Sequence, residues 1–355
     1  MSALARRLDE DVLTVREHWR GARLLDGFEP GPRGAAALLD LARLYRASRL
    51  GIARLAPLRG RAVAALFFDP SLRTRTSMEV ACARLGAHLV YLRPSEGSWA
   101  LEFRDGVRMD GVEPEHVREA APVLSTYVDA LAIRSFPKGE ANDREEIVLR
   151  SFAKHATVPV LNLESALAHP CQALGDQLTL CDLAGAGAGG AIGGKKVCLT
   201  WAPHPKPLPQ AVPLSFLRAA VLAGADLHVA HPEGFALDGE SISAAREVAD
   251  STGAKITFTQ DPDAAAAGAL AVYAKGWGAV DRERHAERVR SLGDWIVTAE
   301  RMRRASFFLH CLPVRRNVIV TDDVLDGAKS RVVAQAANRE PVQAAVLLSW
   351  LLETS

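Results

Sequence analysis

Apolar residues in the first half of the chain alternate between strand-like runs and helix-like spacings. Residues 34–49 carry apolar side chains at helical spacing, and the run AVAALFF at 62–68 is typical of a buried strand. The segment SMEVACARLG has helical character and ends at Gly86, a residue type that favours a helix C-terminus. HLVYL, a helix over 113–127, ALAIRSF and VPVLNL continue the alternation. This order predicts an α/β domain with a largely parallel sheet.

A Gly/Ala-rich stretch, AGAGAGGAIGG at 184–194, predicts a linker to a second domain of the same class. Beyond it the alternation predicts strands in KVCLTWA, DLHVAHP, KITFT, LAVYA, SFFLHCLP and RVVAQ, with helices near 213–223, near 241–251 and across 281–304. The last segment is predicted to be an amphipathic helix that packs back on the first domain. We therefore expect three parts, at 1–183, 184–335 and 336–355.

The glycines of the linker match G-x-G-x-x-G at Gly185, Gly187 and Gly190. A dinucleotide fingerprint follows a strand and opens a helix, whereas these glycines precede the strand KVCLTW. We therefore interpret the stretch as a connector and expect no nucleotide cofactor.

Composition and charge narrow the class of protein. The 355 residues are 48% hydrophobic and 24% charged, and 43 Lys and Arg nearly balance 42 Asp and Glu. This balance argues against a nucleic-acid or membrane partner, and no apolar run approaches the roughly 20 residues that span a bilayer. Five cysteines without a CxxC pair indicate a reduced, cytoplasmic setting rather than a disulfide framework or a zinc site.

Three arginines stand in FFDPSLRTRTSMEVACARLG, residues 67–86. The strand ends at Asp69-Pro70, and Ser71 occupies the expected helix N-cap. Backbone N–H groups at such a helix start, together with Arg73 and Arg75, suit a phosphate group. A solvated helix start with surface arginines is the alternative, but it would explain only about 1 kcal/mol of stabilisation.

Three motifs resemble those of the aspartate/ornithine carbamoyltransferases. Ser71-Leu-Arg-Thr-Arg75 is similar to the family's carbamoyl phosphate motif Ser-x-Arg-Thr-Arg. His169-Pro-Cys-Gln172 and His310-Cys-Leu-Pro313 follow in the order of the ornithine branch. The resemblance implies two α/β domains and transfer of a carbamoyl group from carbamoyl phosphate to an amine, with no metal or organic cofactor.

The resemblance also implies site residues. Those expected to bind carbamoyl phosphate are Ser71, Leu72, Arg73, Thr74, Arg75, Trp99, Arg134, His169, Gln172, Cys311, Leu312 and Arg339. Among them Arg134, His169, Gln172 and Cys311 are assigned to catalysis. Positioning two substrates contributes about 7–11 kcal/mol, so Cys311 need not be a nucleophile. Taken singly, His169 as a helix cap, Cys311 as a small buried apolar residue and Arg339 in a surface ion pair remain alternatives.

The acceptor amine is suggested by a departure from the ornithine enzymes. They usually carry Asp-x-x-x-Ser-Met-Gly in the second domain, whereas the matching stretch here is Tyr273-Ala-Lys275-Gly-Trp277-Gly278. A lysine would repel a free α-ammonium, which favours an ornithine with an acylated α-nitrogen; a solvated loop lysine is the alternative. TWAPHPKPLPQ and GSWALEF also resemble the N-acetylornithine and N-succinylornithine carbamoyltransferases.

In that branch the tryptophan matching Trp99 reaches a neighbouring subunit's site within a trimer, so a homotrimer with shared sites is implied. The expected acylornithine pocket comprises Pro114, Glu164, His204, Lys275, Cys311, Leu312 and Arg315. Pro114 stands where acetyl enzymes typically have glutamate, and Ile319 where they have lysine. A glutamate about 5 Å from a succinyl carboxylate would cost about 3 kcal/mol. Both departures favour N-succinyl-L-ornithine, in arginine biosynthesis.

Other acceptors and other classes remain open at this stage. N-acetyl-L-ornithine is the main alternative acceptor, because a shift of one residue would bring Glu113 or Glu115 to the critical place. Free ornithine or putrescine would follow from a different alignment around Lys275. A non-catalytic sensor of a phosphate metabolite would keep Arg73 and Arg75, but it would not need His169 or Gln172.

Overall fold

A computed structural model of the chain describes residues 2–94, 96–137, 143–187 and 189–354. The chain divides into two compact units, one formed by Met1–Cys171 with Arg339–Ser355 and the other by Gln172–Asn338. The division falls between Cys171 and Gln172, earlier in the chain than the linker predicted at 184–194. A continuous helix, Pro170–Ala184, precedes the Gly/Ala-rich stretch, so these glycines follow the end of a helix and not the division between the units. Ala188 of that stretch lies outside the described residues.

The strands of the first unit are β1 (Arg23–Leu24), β2 (Ala62–Phe67), β3 (His88–Leu92), β4 (Leu101–Glu102), β5 (Glu115–His116), β6 (Ala130–Arg134) and β7 (Val160–Glu164). Five of them form a parallel sheet in the order β1-β7-β6-β2-β3. The other two, β4 and β5, form a separate two-stranded ribbon. Its helices are α1 (Ala3–His18), α2 (Gly31–Ala47), α3 (Arg49–Leu55), α4 (Leu72–Leu85), α5 (Val117–Tyr127), α6 (Ile147–His155) and the C-terminal α14 (Arg339–Leu351), with a 3-10 turn at Asp143–Glu145.

The second unit contains another five-stranded parallel sheet, in the order β10-β9-β8-β11-β12. The strands are β8 (Lys196–Trp201), β9 (Asp226–Ala230), β10 (Lys255–Thr259), β11 (Ala271–Lys275) and β12 (Phe307–Leu309). The helices are α7 (Pro170–Ala184), whose first two residues belong to the first unit, α8 (Ala211–Leu222), α9 (Gly239–Thr252), α10 (Pro262–Ala266), α11 (His285–Arg290), α12 (Asp322–Leu325) and α13 (Val332–Ala337), with a 3-10 turn at Gly293–Trp295.

The predicted fold class is confirmed, including the return of the C-terminal helix to the first unit. The strand prediction for RVVAQ is wrong, because Val332–Ala337 is a helix. Its short apolar run has no period that separates a strand from a buried helix. Within 281–304 the structure has α11 and the 3-10 turn. α14 is buried on nearly all sides rather than amphipathic.

Both units are built around apolar cores. In the first unit, Leu66, Leu131, Ile133 and Phe152 belong to one buried cluster under the sheet. In the second, every residue of α8 is buried. Among the described residues, none of the helices combines the length and apolar character needed to cross a membrane.

Candidate active site

The start of α4 is prepared for an anion. Ser71 has extended backbone angles and caps the helix, with its Oγ accepting the Thr74 N–H at 3.3 Å. The remaining N–H groups of the first turn and the helix dipole favour a negatively charged ligand. Gly86 ends the helix at φ 80°, as its sequence predicted. Leu72, also predicted to contact phosphate, has a side chain 79% exposed.

The two arginines of the motif lie in different environments. Arg73 is half-buried and contributes positive charge near His169. Arg75 is exposed, and its guanidinium stacks over the Tyr91 ring at 3.8 Å. Its Nε also lies 3.9 Å from Glu79 Oε2. The expected contact of Arg75 with phosphate therefore stays a prediction.

Arg339 joins the beginning of α14 to the phosphate motif. Its Nη2 donates to Thr74 Oγ1 and to His169 Nε2, the latter at 2.9 Å. All three side chains are buried. Because a guanidinium can only donate, Nε2 of His169 is the acceptor and the ring proton is assigned to Nδ1.

His169 is held in its neutral form. Burial lowers its pKa well below the ordinary value, and the positive charges of Arg339, Arg134 and Arg73 lower it further. At neutral pH the imidazole therefore offers a neutral N–H donor, while the arginines supply the positive charge.

Arg134 ends β6 and forms a buried ion pair with Glu164 at the end of β7. Glu164 Oε2 also lies 4.0 Å from His169 Nε2. The Nε of Arg134 is buried and has no hydrogen-bond partner within the described ranges. A buried donor without a partner is costly in a folded protein, and it is typical of a group that meets a ligand.

Glu164 was predicted to share a pocket with His204, Lys275 and Arg315. The structure places Glu164 in the first unit, paired with Arg134, and the other three residues in the second unit. This ion pair was not predicted. The available signal was that a cation and an anion each end a neighbouring parallel strand.

His204, Lys275 and Arg315 form a positively charged group in the second unit. Arg315 Nε donates to His204 Nε2 at 3.2 Å, and His204 Nδ1 lies 2.9 Å from the Lys206 carbonyl oxygen and 3.1 Å from the Lys206 backbone nitrogen. Because a guanidinium can only donate, Nε2 is the acceptor, and the ring proton is assigned to Nδ1, facing the carbonyl. Burial lowers the pKa of His204, and the charges of Lys275 and Arg315 act in the same direction, partly opposed by the bond to Lys206. Two cations thus lie near a neutral imidazole.

The glycines around Lys275 are explained by close packing. A Cβ on Gly276 would stand 2.6 Å from His204 Cβ, and one on Gly278 would stand 3.0 Å from Pro207 Cβ. Trp277 between them is fully buried and donates from Nε1 to the Phe235 carbonyl at 2.8 Å. The Lys-Gly-Trp-Gly segment therefore holds Lys275 and His204 together.

The HCLP segment follows β12. The Leu312 N–H donates to His310 Nδ1 at 2.8 Å, and Leu312 has φ 58°, a left-handed conformation that is unusual for a branched residue. Non-glycine residues in this conformation cluster at ligand sites. Cys311 is buried beside them.

Gln172 belongs to a buried polar network of the second unit. Its Nε2 donates to Asp176 Oδ1 at 2.7 Å, and Gln335 donates to the same oxygen. Asp176 and Gln335 were not among the predicted site residues. Asp176 follows Gln172 by one helical turn, and this spacing was the signal.

Trp99 and Pro114 lie on the exposed chain between β3 and α5. Trp99 is 60% exposed, and its Nε1 donates to Glu115 Oε2 at 2.5 Å. Met109 and Val112 on the same segment are also exposed apolar residues. Ile319, by contrast, is buried in the second unit, which accounts for its apolar character.

Comparison with protein families decides what these arrangements belong to. Residues 31–182 match the carbamoyl-P binding domain of aspartate/ornithine carbamoyltransferase, and residues 210–350 match its Asp/Orn binding domain. The chain belongs to the aspartate/ornithine carbamoyltransferase family. It is therefore a carbamoyltransferase, as the three motifs indicated.

Relatives of this carbamoyltransferase include N-acetylornithine and N-succinylornithine carbamoyltransferases. It is 41% identical over 321 residues to the N-acetylornithine carbamoyltransferase of Xanthomonas campestris, covering 88% of this chain and 92% of the relative. It is 38% identical over 299 residues to the N-succinylornithine carbamoyltransferase of Bacteroides fragilis, covering 83% and 88%.

Solved structures that are similar to this chain include acetylornithine transcarbamylases. An acetylornithine transcarbamylase complexed with acetylcitrulline has a TM-score of 0.87 and 37% identity, covering 93% of this chain and 99% of the other. An N-acetyl-L-ornithine transcarbamylase with a glutamate-to-proline substitution, complexed with carbamyl phosphate and N-succinyl-L-norvaline, has a TM-score of 0.86 and 38% identity, covering 92% and 99%.

Proposed function

We propose that this carbamoyltransferase transfers the carbamoyl group of carbamoyl phosphate to the δ-amine of N-succinyl-L-ornithine, giving N-succinyl-L-citrulline and phosphate. The observation that carries the choice of an acylated acceptor is the cationic group of Lys275 and Arg315 around neutral His204. Two cations would repel the α-ammonium of free ornithine and would attract the carboxylate of a succinyl group.

Carbamoyl phosphate is assigned to the residues of the first unit. The phosphate would meet the N-terminus of α4, Arg73 and Thr74, and the carbamoyl oxygen would meet Arg134 and the Nδ1–H of His169. Donors prepared for charge that develops on a reacting oxygen are usually the largest contribution to catalysis.

The reaction is a direct displacement. The lone pair of the δ-nitrogen attacks the carbonyl carbon, a C–N bond forms, and the C–O bond to phosphate breaks with its electrons leaving on the phosphate oxygen. The δ-ammonium, with an intrinsic pKa of about 10.4, must first lose one proton to solvent, and we assign the departing phosphate as the acceptor of the second proton, which leaves the nitrogen as the C–O bond breaks. We expect carbamoyl phosphate to bind first.

Pro114 supports the succinyl group over the acetyl group. In the solved relative, a glutamate-to-proline substitution accompanies bound N-succinyl-L-norvaline. A proline at the matching place would remove a carboxylate that repels succinate. N-acetyl-L-ornithine is the second candidate, because relatives of both names match at nearly the same identity.

The test is ureido product formation from carbamoyl phosphate with N-succinyl-L-ornithine, N-acetyl-L-ornithine or free L-ornithine. We expect the succinyl substrate to have the highest kcat/KM, and Pro114→Glu to lower it about 100-fold through charge repulsion. Pro114→Gln, of similar size without charge, is the matched control and should have a much smaller effect.

Other results of this assay would identify a different acceptor or contradict the reaction. Preference for the acetyl substrate would make the second candidate correct. Activity on free ornithine alone would overturn the argument from Lys275. Absence of product with all three amines would contradict the proposed reaction.

A further inference from the structure

Asp176 is a buried carboxylate that receives two side-chain amides. It lies on α7 with no exposed surface. Its Oδ1 accepts from Gln172 Nε2 at 2.7 Å and from Gln335 Nε2, on α13, at 2.6 Å. All three residues belong to the second unit.

Gln335 gives an independent check on the direction of these bonds. The His310 backbone N–H donates to Gln335 Oε1 at 2.9 Å, and a backbone N–H can only donate. Oε1 of Gln335 must therefore face His310, and its Nε2 must face Asp176. It follows that Asp176 Oδ1 is an acceptor, so the amide of Gln172 also turns its Nε2 toward Asp176.

We propose that Asp176 is a positioning residue that turns the carboxamide of Gln172 so that Oε1 accepts a hydrogen bond from the carbamoyl NH2 group. With Nε2 bonded to Asp176, the carboxamide presents its acceptor on the opposite side. The inference rests on the proposed function, because it takes carbamoyl phosphate as the ligand. Asp176 thereby contributes to the choice of a carbamoyl group over an acetyl group, in which a methyl replaces NH2.

The test uses Asp176→Leu, which replaces the carboxylate with an apolar side chain of similar size. Without an acceptor at position 176, the Gln172 carboxamide is no longer held with Nε2 on that side, and Oε1 is no longer fixed toward the carbamoyl NH2 group. Two stable analogues separate this effect from phosphate binding: phosphonoacetamide carries NH2, and 2-oxopropylphosphonate carries CH3 in its place. We expect Asp176→Leu to raise the Kd of phosphonoacetamide about 10-fold and to leave that of 2-oxopropylphosphonate within about 2-fold.

Two further variants make the result specific. Gln172→Leu should lose the same preference for phosphonoacetamide, and the double variant should lose no more than either single one. Thr179→Val, on the same helix as Asp176, is the matched control. It removes a buried hydrogen bond that Asn338 Nδ2 donates to Thr179 Oγ1 at 3.0 Å. It should lower Tm and leave the ratio of the two Kd values unchanged. An unchanged ratio in Asp176→Leu, or an equal loss for both analogues, would overturn the role of Asp176.

Exchange of the Gln172 side-chain amide hydrogens gives a readout that needs no ligand. In the wild-type protein the bond to Asp176 should slow exchange, and Asp176→Leu, which removes the acceptor, should speed it at least about 10-fold. If the wild type bound neither analogue, the proposed function would fail, while the exchange rates would still decide whether Asp176 orients Gln172. Equal rates in the two proteins would refute that orientation.

Discussion

Neutral His169 shows how a residue's surroundings decide its role. A solvent-exposed histidine is partly protonated near pH 6.5, whereas burial and three arginines keep His169 neutral. The imidazole accepts from Arg339 through Nε2 and retains a donor at Nδ1. In the proposed reaction it therefore supplies a hydrogen bond, and Arg134 supplies charge.

The lowered pKa of His169 predicts a dependence of stability on pH. Below about pH 6.5 the unfolded chain binds a proton at His169 that the native protein does not, so falling pH favours unfolding. The contribution is about 1.4 kcal/mol per pH unit until the lowered native pKa is reached, and it vanishes above pH 6.5. His169→Gln should flatten the dependence of Tm on pH between about pH 5 and 6.5.

The exposed histidine His88 on β3 provides the control for this measurement. Thermal unfolding of His88→Gln should show the same acid-side slope as the wild type. Equal slopes in the wild type and His169→Gln would mean that His169 is protonated in the native protein.

The position of helix α14 depends on the buried carboxylate of Glu340. Glu340 follows Arg339 and accepts from Tyr45 on α2, from Arg49 at 2.9 Å and from Arg84 at 2.9 Å. Burial is the largest cause of the raised pKa of Tyr45, and the hydrogen bond to Glu340 raises it further. These bonds attach α14 to three helices of the first unit and hold Arg339 next to Thr74.

Glu340→Gln should therefore weaken both the fold and the binding of phosphate by the first unit. The substitution removes the charge that two arginines and a buried hydroxyl share, and we expect a loss of about 2 kcal/mol. Differential scanning calorimetry should show a Tm lower by about 4 °C, and the Kd of phosphonoacetamide should rise.

Glu353→Gln is the matched control, because Glu353 also pairs with an arginine, Arg61, but is 87% exposed. Exposed ion pairs contribute about 0–1 kcal/mol, so its Tm should hardly change. Equal effects of the two substitutions would show that the Glu340 cluster does not anchor α14.

Trp99, Met109 and Val112 are exposed apolar residues on one stretch of the chain. Exposed apolar surface of this kind often marks an interaction site. We propose a homotrimer in which Trp99 completes the site of a neighbouring subunit. Trp99→Ala should then lower activity strongly in a protein that keeps its Tm.

Mixing two inactive variants tests the sharing of sites. Trp99→Ala and Arg134→Ala subunits, co-expressed in equal amounts, should regain roughly a quarter of wild-type activity, because one interface in four joins an intact Arg134 to an intact Trp99. Light scattering would establish the number of subunits. No recovery in a confirmed mixed oligomer would place both residues in the same subunit's site.

The local features of this carbamoyltransferase follow from its amino-acid sequence. Alternating apolar runs predicted two parallel α/β sheets, and the Ser71 cap and Gly86 stop predicted α4, because these signals depend on near neighbours in the chain. The three motifs predicted the family and candidate residues on both units. The apolar period failed at RVVAQ, where a short run is compatible with either a strand or a helix.

Only the tertiary structure decided which side chains meet. Arg134 pairs with Glu164 because β6 and β7 are neighbours, and Arg339 reaches Thr74 because α14 returns to the first unit. The neutral state of His169 likewise depends on burial and on arginines that the fold collects from distant positions. Such contacts join residues far apart in sequence, and no local pattern encodes the distance between them.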